Sequence, residues 1–449
     1  MKKAIACFLA AILILSCMAG CGKTEITEST EGTGAPAPAA ETEKKEVVHL
    51  QWWGAVAEES GPQEVVDSFN ATHTDIQVEY VRYTNDDAGN TKLDMSLMAS
   101  GDADLFVSYN DTYLQKQIDA GNALPLNDLM ASTGIDAVEA FGQGVEAYLR
   151  DGKYYMLPTC VSNDCILYNK QMFDDAGVAY PTIGWTYEKF LAAAEALTTD
   201  DVYGYYYPAW GAQPATDFAK RVLGNNWMYR EDGSGVNIDN DILRASFEGY
   251  MDRVARGIEV DFVDNSTQKM TPQDMLLQGK AAMVYGNWIV RYVNDTETYP
   301  HDFVVGFATV PTLDGSQKEL YTSSYGDYMS INSKSAHPEE AMTFLKWYIE
   351  GGMAPMAKYG RIPGYSGFDR DSVVELAFGE HADLYDMDEA KNVFLGLFDV
   401  SVRTITTASS EIDTVLNEEF QKAFAGEQTV DEAIAKAQER AQVQFENAQ

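Results

Sequence analysis

An alternation of strand and helix patterns between residues 48 and 108 constrains the fold more than any other feature of the sequence. Two runs of alternating apolar residues and a short apolar run at 104–108 are separated by two stretches with helical spacing. This β-α-β-α-β order predicts a parallel sheet with helices on its faces, in which ligands bind beyond the carboxyl ends of the strands. The apolar positions are Val48, Leu50 and Trp52, then Val65, Val66 and Phe69, then Ile76, Val78 and Tyr80, and finally Leu93 and Leu97.

A second α/β region begins near Cys165. Residues 165–168 form a short apolar run, and a helix with Thr186 as its predicted N-cap follows. A turn and a strand occupy residues 278–285, and another helix opens at Pro338. The C-terminal stretch from Ile412 is helical and amphipathic, which favours a role in packing. The whole chain is therefore predicted to be α/β.

The length and the charge of the chain limit both its organisation and its partners. With 449 residues, it is long enough for two or three folding units. Its formal net charge of −37 argues against DNA or RNA as a partner, because binding to phosphates needs a basic surface. The same acidity disfavours docking on anionic lipid headgroups. We predict no nucleic-acid partner.

The N-terminus has the layout of an export signal. Met1-Lys2-Lys3 is positively charged, and the uncharged run at residues 4–20 is marginal for a membrane-spanning helix of ~20 apolar residues. The run ends at Cys21 in Met-Ala-Gly-Cys, which resembles a bacterial lipobox. We predict a lipoprotein signal peptide at 1–20 and, at 21–46, a lipidated Cys21 followed by a disordered tether. The protein would be held on the outer face of the cell membrane by this lipid only; an ordinary secretory signal is the alternative.

Two cysteines, Cys160 and Cys165, lie in the predicted folded part. An exported protein can form a disulfide between them, whereas two buried free thiols fit the sequence about equally well. The five histidines are scattered, and no zinc-binding motif is present. We predict neither a metal site nor a cofactor.

A series of short motifs runs through nearly the whole chain. The motifs are Trp52-Trp53-Gly54, Ser100 to Leu105, Gly121 to Leu126, Gly152 to Pro158, Leu167 to Lys170, Pro181 to Trp185, Gly279 to Met283, and Gly326 to Ile331. Each motif is weak alone, but their order and spacing are specific. The chain resembles the extracellular solute-binding proteins of ABC importers, in the sugar-binding group related to maltose-binding protein.

This resemblance implies a two-lobed periplasmic-binding-protein-like fold of type II. Each lobe would hold a mostly parallel sheet with helices on both faces, and a hinge would let the lobes close on a ligand between them. The implied lobes are 47–160 plus 326–365, and 161–325 plus 366–449. The implied partners are a carbohydrate ligand and the transmembrane subunits of an ABC permease, with the binding protein itself a monomer.

Sugar recognition needs flat aromatic surfaces for C–H faces and fixed polar groups for hydroxyls. Such residues are predicted at the ends of strands and at the crossings between the lobes. Lobe packing is the alternative role for Trp53, helix capping for Asp111, and a salt bridge for Arg361. Within the family motif, Asp102 and Asp104 are expected to flank a strand structurally. The predicted ligand-binding residues are Trp53, Asn110, Asp111, Trp210, Asn287, Trp288, Tyr325, Asp327 and Arg361.

The leading hypothesis is a non-catalytic receptor that captures an oligosaccharide and delivers it to a permease. A secreted glycoside hydrolase is the enzyme alternative, but an acidic chain always offers some pair of carboxylates, so composition cannot support it. Ferric ion is a third option, because Tyr205-Tyr206-Tyr207 superficially resembles the tyrosines of iron-binding relatives; packing is the favoured interpretation of these residues. Peptide, polyamine and anion ligands also stay open.

Overall fold

The computed structural model describes residues 46–99, 102–224, 226–311, 323–396, 402 and 407–449. The predicted signal peptide, Cys21 and nearly all of the predicted tether lie outside these residues. Within the described ranges, no helix is long and apolar enough to cross a bilayer.

The described residues contain ten strands and eighteen α-helices. The strands are β1 (Val48–Gly54), β2 (Ile76–Arg82), β3 (Leu105–Ser108), β4 (Leu157–Asn163), β5 (Cys165–Asn169), β6 (Tyr203–Tyr206), β7 (Ala281–Tyr285), β8 (Val305–Thr309), β9 (Ser323–Ile331) and β10 (Ile362–Pro363). The helices are α1 (Pro62–Thr72), α2 (Asp87–Ala99), α3 (Asp111–Asp119), α4 (Asn127–Thr133), α5 (Ala137–Phe141), α6 (Lys170–Ala176), α7 (Tyr187–Leu197), α8 (Gln213–Leu223), α9 (Asp241–Ala255), α10 (Phe262–Gln268), α11 (Pro272–Leu277), α12 (Val290–Val293), α13 (Pro338–Trp347), α14 (Ala354–Ala357), α15 (Arg370–Phe378), α16 (Met387–Glu389), α17 (Ser409–Phe424) and α18 (Val430–Asn447).

The first sheet has the strand order β10-β4-β9-β3-β1-β2. Strand β1 is parallel to β2 and to β3, with Val48 opposite Ile76 and Trp52 opposite Leu105. The predicted β-α-β-α-β start of the fold is confirmed. Strand β9 lies between β3 and β4 and is antiparallel to both, and β10 is antiparallel to β4.

The second sheet has the order β6-β7-β5-β8. Only β6 and β7 are parallel, whereas β5 is antiparallel to both of its neighbours. Both sheets are therefore mixed, which corrects the expectation that each is mostly parallel. An apolar pattern reports which face of a strand is buried and carries no information about its direction, which long-range connections decide here.

Helices cover both faces of the first sheet. Leu50 and Trp52 pack with residues of α1 and α13, and the Trp52 ring lies 5.5 Å from that of Phe344. On the opposite face, Trp53 packs with Leu93 of α2. Adjacent side chains of a strand point to opposite faces, so the pair of tryptophans serves two separate cores. We call the first sheet and its helices the first lobe.

The second sheet is likewise packed on both faces. Leu167 of β5 packs with Met275 of α11, whereas the adjacent Tyr168 packs with Phe173 of α6 and Phe190 of α7. A further core joins α8, α9, α17 and α18 through side chains that include Phe247 and Phe420. The second sheet, its helices and this helical core form the second lobe.

The contact between α17 and α18 includes a buried carboxylate. Glu419 accepts hydrogen bonds from Lys422 at 2.7 Å, Arg440 at 2.5 Å and Gln428 at 3.1 Å. Burial opposes its ionisation, but these hydrogen bonds prevail and lower the pKa of Glu419 to about 2. An ionised Glu419 therefore stabilises the packing of the two C-terminal helices.

The chain passes between the lobes where β4 leads directly into β5. Strand β4 pairs with β9 in the first sheet, and β5 begins in the second sheet after the single residue Asp164. The Asn163 side chain donates hydrogen bonds to the carbonyls of Val393, Phe394 and Gly396, at 3.0–3.1 Å. The lobe boundaries implied by the family resemblance stay a prediction.

Cys160 and Cys165 flank this passage as buried free thiols. Cys160 pairs within the first sheet and Cys165 within the second. Burial raises the pKa of both thiols, so neither is an activated thiolate. Of the two possibilities that the sequence left open, the structure has the free thiols.

Candidate functional site

A cleft with a volume of about 620 Å³ lies between the two lobes. The first lobe contributes Asn90 of α2 and residues 110–113 around the start of α3. The second lobe contributes residues 210–213 before and within α8, Tyr285 at the end of β7, and one side of α17. This volume lies within the range of ~300–1,000 Å³ that is typical of small-molecule sites.

The first-lobe wall of the cleft is built on the N-terminus of α3. Asn110 is the N-cap, and its side chain accepts a hydrogen bond from the N–H of Tyr113 at 2.7 Å. Asp111 accepts hydrogen bonds from the hydroxyls of Tyr328 at 2.6 Å and Tyr148 at 3.3 Å. Both predicted residues line the cleft, and the capping role considered for Asp111 belongs to Asn110 instead.

The second-lobe wall presents a stack of aromatic rings. The Trp210 ring is 4.9 Å from the Trp288 ring, with an angle of 32° between the planes. Tyr285 lies edge-on to Trp210 and stacks on Tyr207 at 4.5 Å. Trp210 lines the cleft and is 43% exposed, whereas Trp288 packs against Trp210 and is not among the described lining residues.

The position of Trp288 depends on the glycine two residues before it. Gly286 has a φ of +141°, and a Cβ atom there would lie 2.6 Å from the Trp288 ring. Only glycine, which lacks a Cβ atom, tolerates this backbone conformation together with this close approach. The sequence Gly-Asn-Trp after β7 therefore sets the support for the aromatic wall.

Two carboxylates share one guanidinium beside this wall. The Nη2 atom of Arg221 donates to Asp164 at 2.8 Å and to Asp217 at 2.9 Å, and the Tyr285 hydroxyl donates to Asp164 at 2.9 Å. Burial opposes ionisation of Asp164, but attraction to Arg221 and the hydrogen bonds lower its pKa to about 2. For Asp217, burial outweighs the attraction of Arg221, and its pKa is raised. Asp217 and Tyr285 line the cleft.

A hydrogen bond joins the two lobes across the cleft. The Thr112 hydroxyl at the start of α3 donates to Asp413 of α17 at 3.0 Å. Asn417, one turn further along α17, accepts a hydrogen bond from the N–H of Ala212 at 2.7 Å. Helix α17 therefore connects the first lobe with the loop that carries Trp210.

Three predicted residues cluster near the passage between the lobes. Arg361 forms an ion pair with Asp327, with 2.7 Å between Nε and Oδ2. Burial opposes the charge on Arg361, but attraction to Asp327 raises its pKa. Tyr325 is buried and donates its hydroxyl hydrogen to the Phe141 carbonyl at 2.6 Å. All three therefore have partners within the protein, and none is among the described lining residues of the cleft.

The two other predicted residues also have internal partners. Trp53 is 7% exposed, packs against α2, and donates its indole N–H to Gln51 at 3.0 Å. The Asn287 amide donates to the Asn163 carbonyl at 3.1 Å. The structure thus brings Asn110, Asp111 and Trp210 together at the cleft and places Trp53 and Asn287 elsewhere. Contact of any of these residues with a ligand stays a prediction.

The structure also adds residues that the sequence interpretation missed. Asp217 and Lys220 on α8, and Asp413 and Asn417 on α17, all line the cleft. Their spacing marks the polar side of an amphipathic helix, which is the ordinary pattern of a solvated face. The prediction for the stretch from Ile412 favoured packing over function, because the apolar side of the helix is the feature that its sequence shows.

The tyrosines considered for ferric ion belong to the core of the second lobe. Tyr205 and Tyr206 are fully buried, and Tyr206 donates its hydroxyl hydrogen to Asn265 at 2.9 Å. Burial raises the pKa of each tyrosine from 205 to 207, which disfavours the tyrosinate form that binds iron. The packing interpretation of these residues agrees with the structure.

Two lobes that meet at a polar and aromatic cleft define a protein that binds a small solute. A family model for bacterial extracellular solute-binding proteins matches residues 53–350, and the chain belongs to this family. Among curated relatives, it is 21% identical over 426 residues to the sn-glycerol-3-phosphate-binding periplasmic protein UgpB of Escherichia coli, covering 88% of this chain and 92% of that protein. A putative binding protein of Brucella abortus is 24% identical over 301 residues, covering 65% of this chain and 69% of the relative.

Solved structures confirm the two-lobed fold. The GacH receptor of Streptomyces glaucescens superposes with a TM-score of 0.73 at 18% identity, covering 89% of this chain and 99% of that one. An ABC substrate-binding protein of Listeria monocytogenes, solved in complex with cycloalternan, has a TM-score of 0.73 at 21% identity, covering 88% and 98%. At these identities, the similarity establishes the fold.

Proposed function

We propose that this solute-binding protein captures an oligosaccharide in the cleft between its lobes and delivers it, unchanged, to an ABC permease. The observation that carries this proposal is the exposed face of Trp210, supported by Trp288, opposite the polar residues Asn110 and Asp111. An indole face packs on the C–H surface of a sugar ring, while carboxylate and amide groups bind its hydroxyls.

The location of these groups explains why lobe closure would hold a sugar. Asp111 comes from the first lobe, and Trp210, Asp413 and Asn417 come from the second. A ligand that contacts both walls stabilises the closed arrangement over an open one, in proportion to its difference in affinity for the two states. The permease then recognises the surface that the two lobes form together in the closed protein.

The charge of the cleft favours a neutral ligand over a phosphate ester. Its described lining includes the carboxylates of Asp111, Asp217 and Asp413 against the single ammonium of Lys220. Like charges brought together in a partly buried site repel strongly. Although one curated relative is named for glycerol 3-phosphate, the lining of this cleft supports an uncharged, hydroxyl-rich solute.

Several structural relatives are described with sugars. The GacH receptor was solved with acarbose, and another relative was solved with mannotriose bound. A protein from Thermotoga lettingae, at a TM-score of 0.71, was solved with α-D-tagatose. These ligands range from a monosaccharide to oligosaccharides, so they support the ligand class and leave the particular sugar to experiment.

The proposal keeps the earlier predictions for the rest of the molecule. Cys21 carries the lipid that holds a monomeric binding protein on the outer face of the cell membrane, and no catalytic step is included. Growth with labelled palmitate should label the wild-type protein, and Cys21→Ala should abolish the label while the protein remains exported. Labelling of the Cys21→Ala variant would contradict the predicted anchor.

The test of ligand class is a thermal-shift and calorimetry panel of maltotriose, mannotriose, xylotriose, glucose and glycerol 3-phosphate. A sugar at about 100 times its Kd should stabilise the protein by ~2.7 kcal/mol. We expect a clear rise in Tm with at least one trisaccharide, and chromatography should recover that sugar intact. A shift with glycerol 3-phosphate alone, or release of smaller sugars, would contradict the proposal.

A further inference from the structure

One side of helix α8 forms part of the cleft wall. Gln213, Thr216, Asp217 and Lys220 follow the spacing i, i+3, i+4 and i+7, and all four line the cleft. Asp217 is the most unusual of them, because its residue is only 5% exposed although it carries a carboxylate. Carboxylates are rarely buried unless they are paired, and most buried polar atoms have a hydrogen-bond partner.

The hydrogen bonds around Arg221 leave one oxygen of Asp217 unused. Asp164 accepts from Arg221 with one oxygen and from the Tyr285 hydroxyl with the other. Asp217 accepts from Arg221 through Oδ1, but its buried Oδ2 atom has no hydrogen-bond partner in the described part of the chain. Both oxygens of Asp164 therefore have a donor, whereas only one oxygen of Asp217 has one, although the two acids share one guanidinium.

Neighbouring groups do not supply the missing donor. Lys220 also lines the cleft, but it forms no ion pair with Asp217 among the described residues. The Tyr285 hydroxyl already donates to Asp164, and the Tyr207 hydroxyl is paired with Gln213 at 3.4 Å. Burial raises the pKa of Asp217, which is the response expected of an incompletely satisfied carboxylate.

We propose that Asp217 is a specificity-determining residue whose Oδ2 atom accepts a hydrogen bond from an unsubstituted hydroxyl of the bound sugar. This inference rests on the proposed function and adds the chemical group that the second-lobe wall selects. An unsatisfied buried acceptor destabilises the free protein, and a ligand hydroxyl removes that penalty on binding. Asp217 thus destabilises the ligand-free protein and stabilises its complex with the sugar.

The proposal defines which ligands this wall rejects. A sugar with a methyl ether or an acetyl group at this hydroxyl has no hydrogen to donate and leaves Oδ2 unpaired. A phosphate at that position would add a negative charge beside two carboxylates. Sites that hydrogen-bond a hydroxyl discriminate strongly against analogues without it, because the buried partner is then left unsatisfied.

The experiment compares Asp217→Asn with Asp164→Asn, two substitutions beside the same guanidinium. Differential scanning calorimetry without ligand gives the stability of each variant. Titration calorimetry uses whichever of maltotriose, mannotriose and xylotriose binds the wild type best. We expect Asp217→Asn to keep or raise the Tm, because Asp164 alone balances Arg221, and to weaken sugar binding by about tenfold or more. Asp164→Asn, which removes a fully bonded carboxylate, should lower the Tm by several degrees.

Each alternative result has a distinct meaning. A fall in Tm for Asp217→Asn as large as that for Asp164→Asn would show a structural acid and overturn the inference. Wild-type affinity in Asp217→Asn, within about twofold, would also overturn it while leaving the proposed function intact. If no trisaccharide binds the wild type, the proposed function and the ligand class named here both fail.

Discussion

The sharpest prediction concerns the aromatic wall, through the substitution Trp210→Ala. Trp210 is 43% exposed. For a tryptophan of about 250 Å², this leaves roughly 100 Å² for a ligand to cover. At about 25 cal/mol per Å² of apolar surface, full coverage contributes ~2.5 kcal/mol. The Kd for the best trisaccharide should therefore rise about 70-fold in the variant.

The same substitution should leave the fold intact. Trp210 loses its contact with Trp288, whose ring lies 4.9 Å away, and aromatic pairs of this kind contribute ~0.5–1.5 kcal/mol. The apo Tm should fall by a few degrees at most. Trp210→Phe keeps a flat apolar face and should recover much of the lost affinity.

Titration calorimetry on wild type, Trp210→Ala and a matched control tests this reasoning. Ile183→Ala is the control, because Ile183 is also in the second lobe, is 50% exposed, and lies outside the described lining of the cleft. Its Kd should equal that of the wild type. If Trp210→Ala stayed within about threefold of wild-type affinity, ring stacking at this residue would be excluded as the basis of binding.

Three further predictions concern other parts of the molecule. The pKa of Glu419 lies below its unfolded value, so the ionised form stabilises the protein above about pH 4.3 and this stability is lost as pH falls toward 2. Glu419→Gln should lower the free energy of unfolding by about 3 kcal/mol near pH 7 and by little in acid. Glu418 is half-exposed, and Glu418→Gln, the control, should lower it by about 0.5 kcal/mol. Denaturant titrations at several pH values measure both effects. Thr112→Val removes the hydrogen bond across the cleft and should weaken sugar binding about fivefold by calorimetry, without lowering the apo Tm. Gly286→Ala should displace Trp288 and lower both apo Tm and affinity; wild-type values for both would contradict the role given to this glycine.

Much of the architecture could be predicted because local patterns of apolar residues specify its strands and helices. The alternation around Val48 and the helical spacing around Val65 identified the first three strands and their helices. Strand direction was not predictable, since the pairing of Leu105 with Ile331 joins segments far apart in the chain. Mixed sheets follow from those distant pairings, and no local pattern records them.

Part of the cleft lining was predicted, for a related reason. Asn110, Asp111 and Trp210 follow strands, and strand ends meet at the cleft. Asp327 and Arg361 were also predicted to bind the ligand, but they form an ion pair with each other. A salt bridge was the alternative considered for Arg361, and the structure identifies Asp327 as its partner.

The unpaired oxygen of Asp217 was also invisible in the sequence. Asp217 stands four residues before Arg221, a spacing that predicts an ordinary ion pair on a helix. The second carboxylate at Arg221 comes from Asp164, in a different part of the chain. Because Asp164 and Asp217 share Arg221, the contacts of both acids in the folded protein decide which carboxylate oxygen remains for a ligand.

The position of β9 in the first sheet has a consequence for how the molecule is made. Because β9 separates β3 from β4 and β10 pairs with β4, the first sheet is incomplete until the ribosome has passed residue 363, after all four strands of the second sheet. Such high contact order slows folding, since a long loop must close before the strands can pair. Completion of the first sheet is therefore a late step in the folding of this chain, because β9 must join β3 to β4.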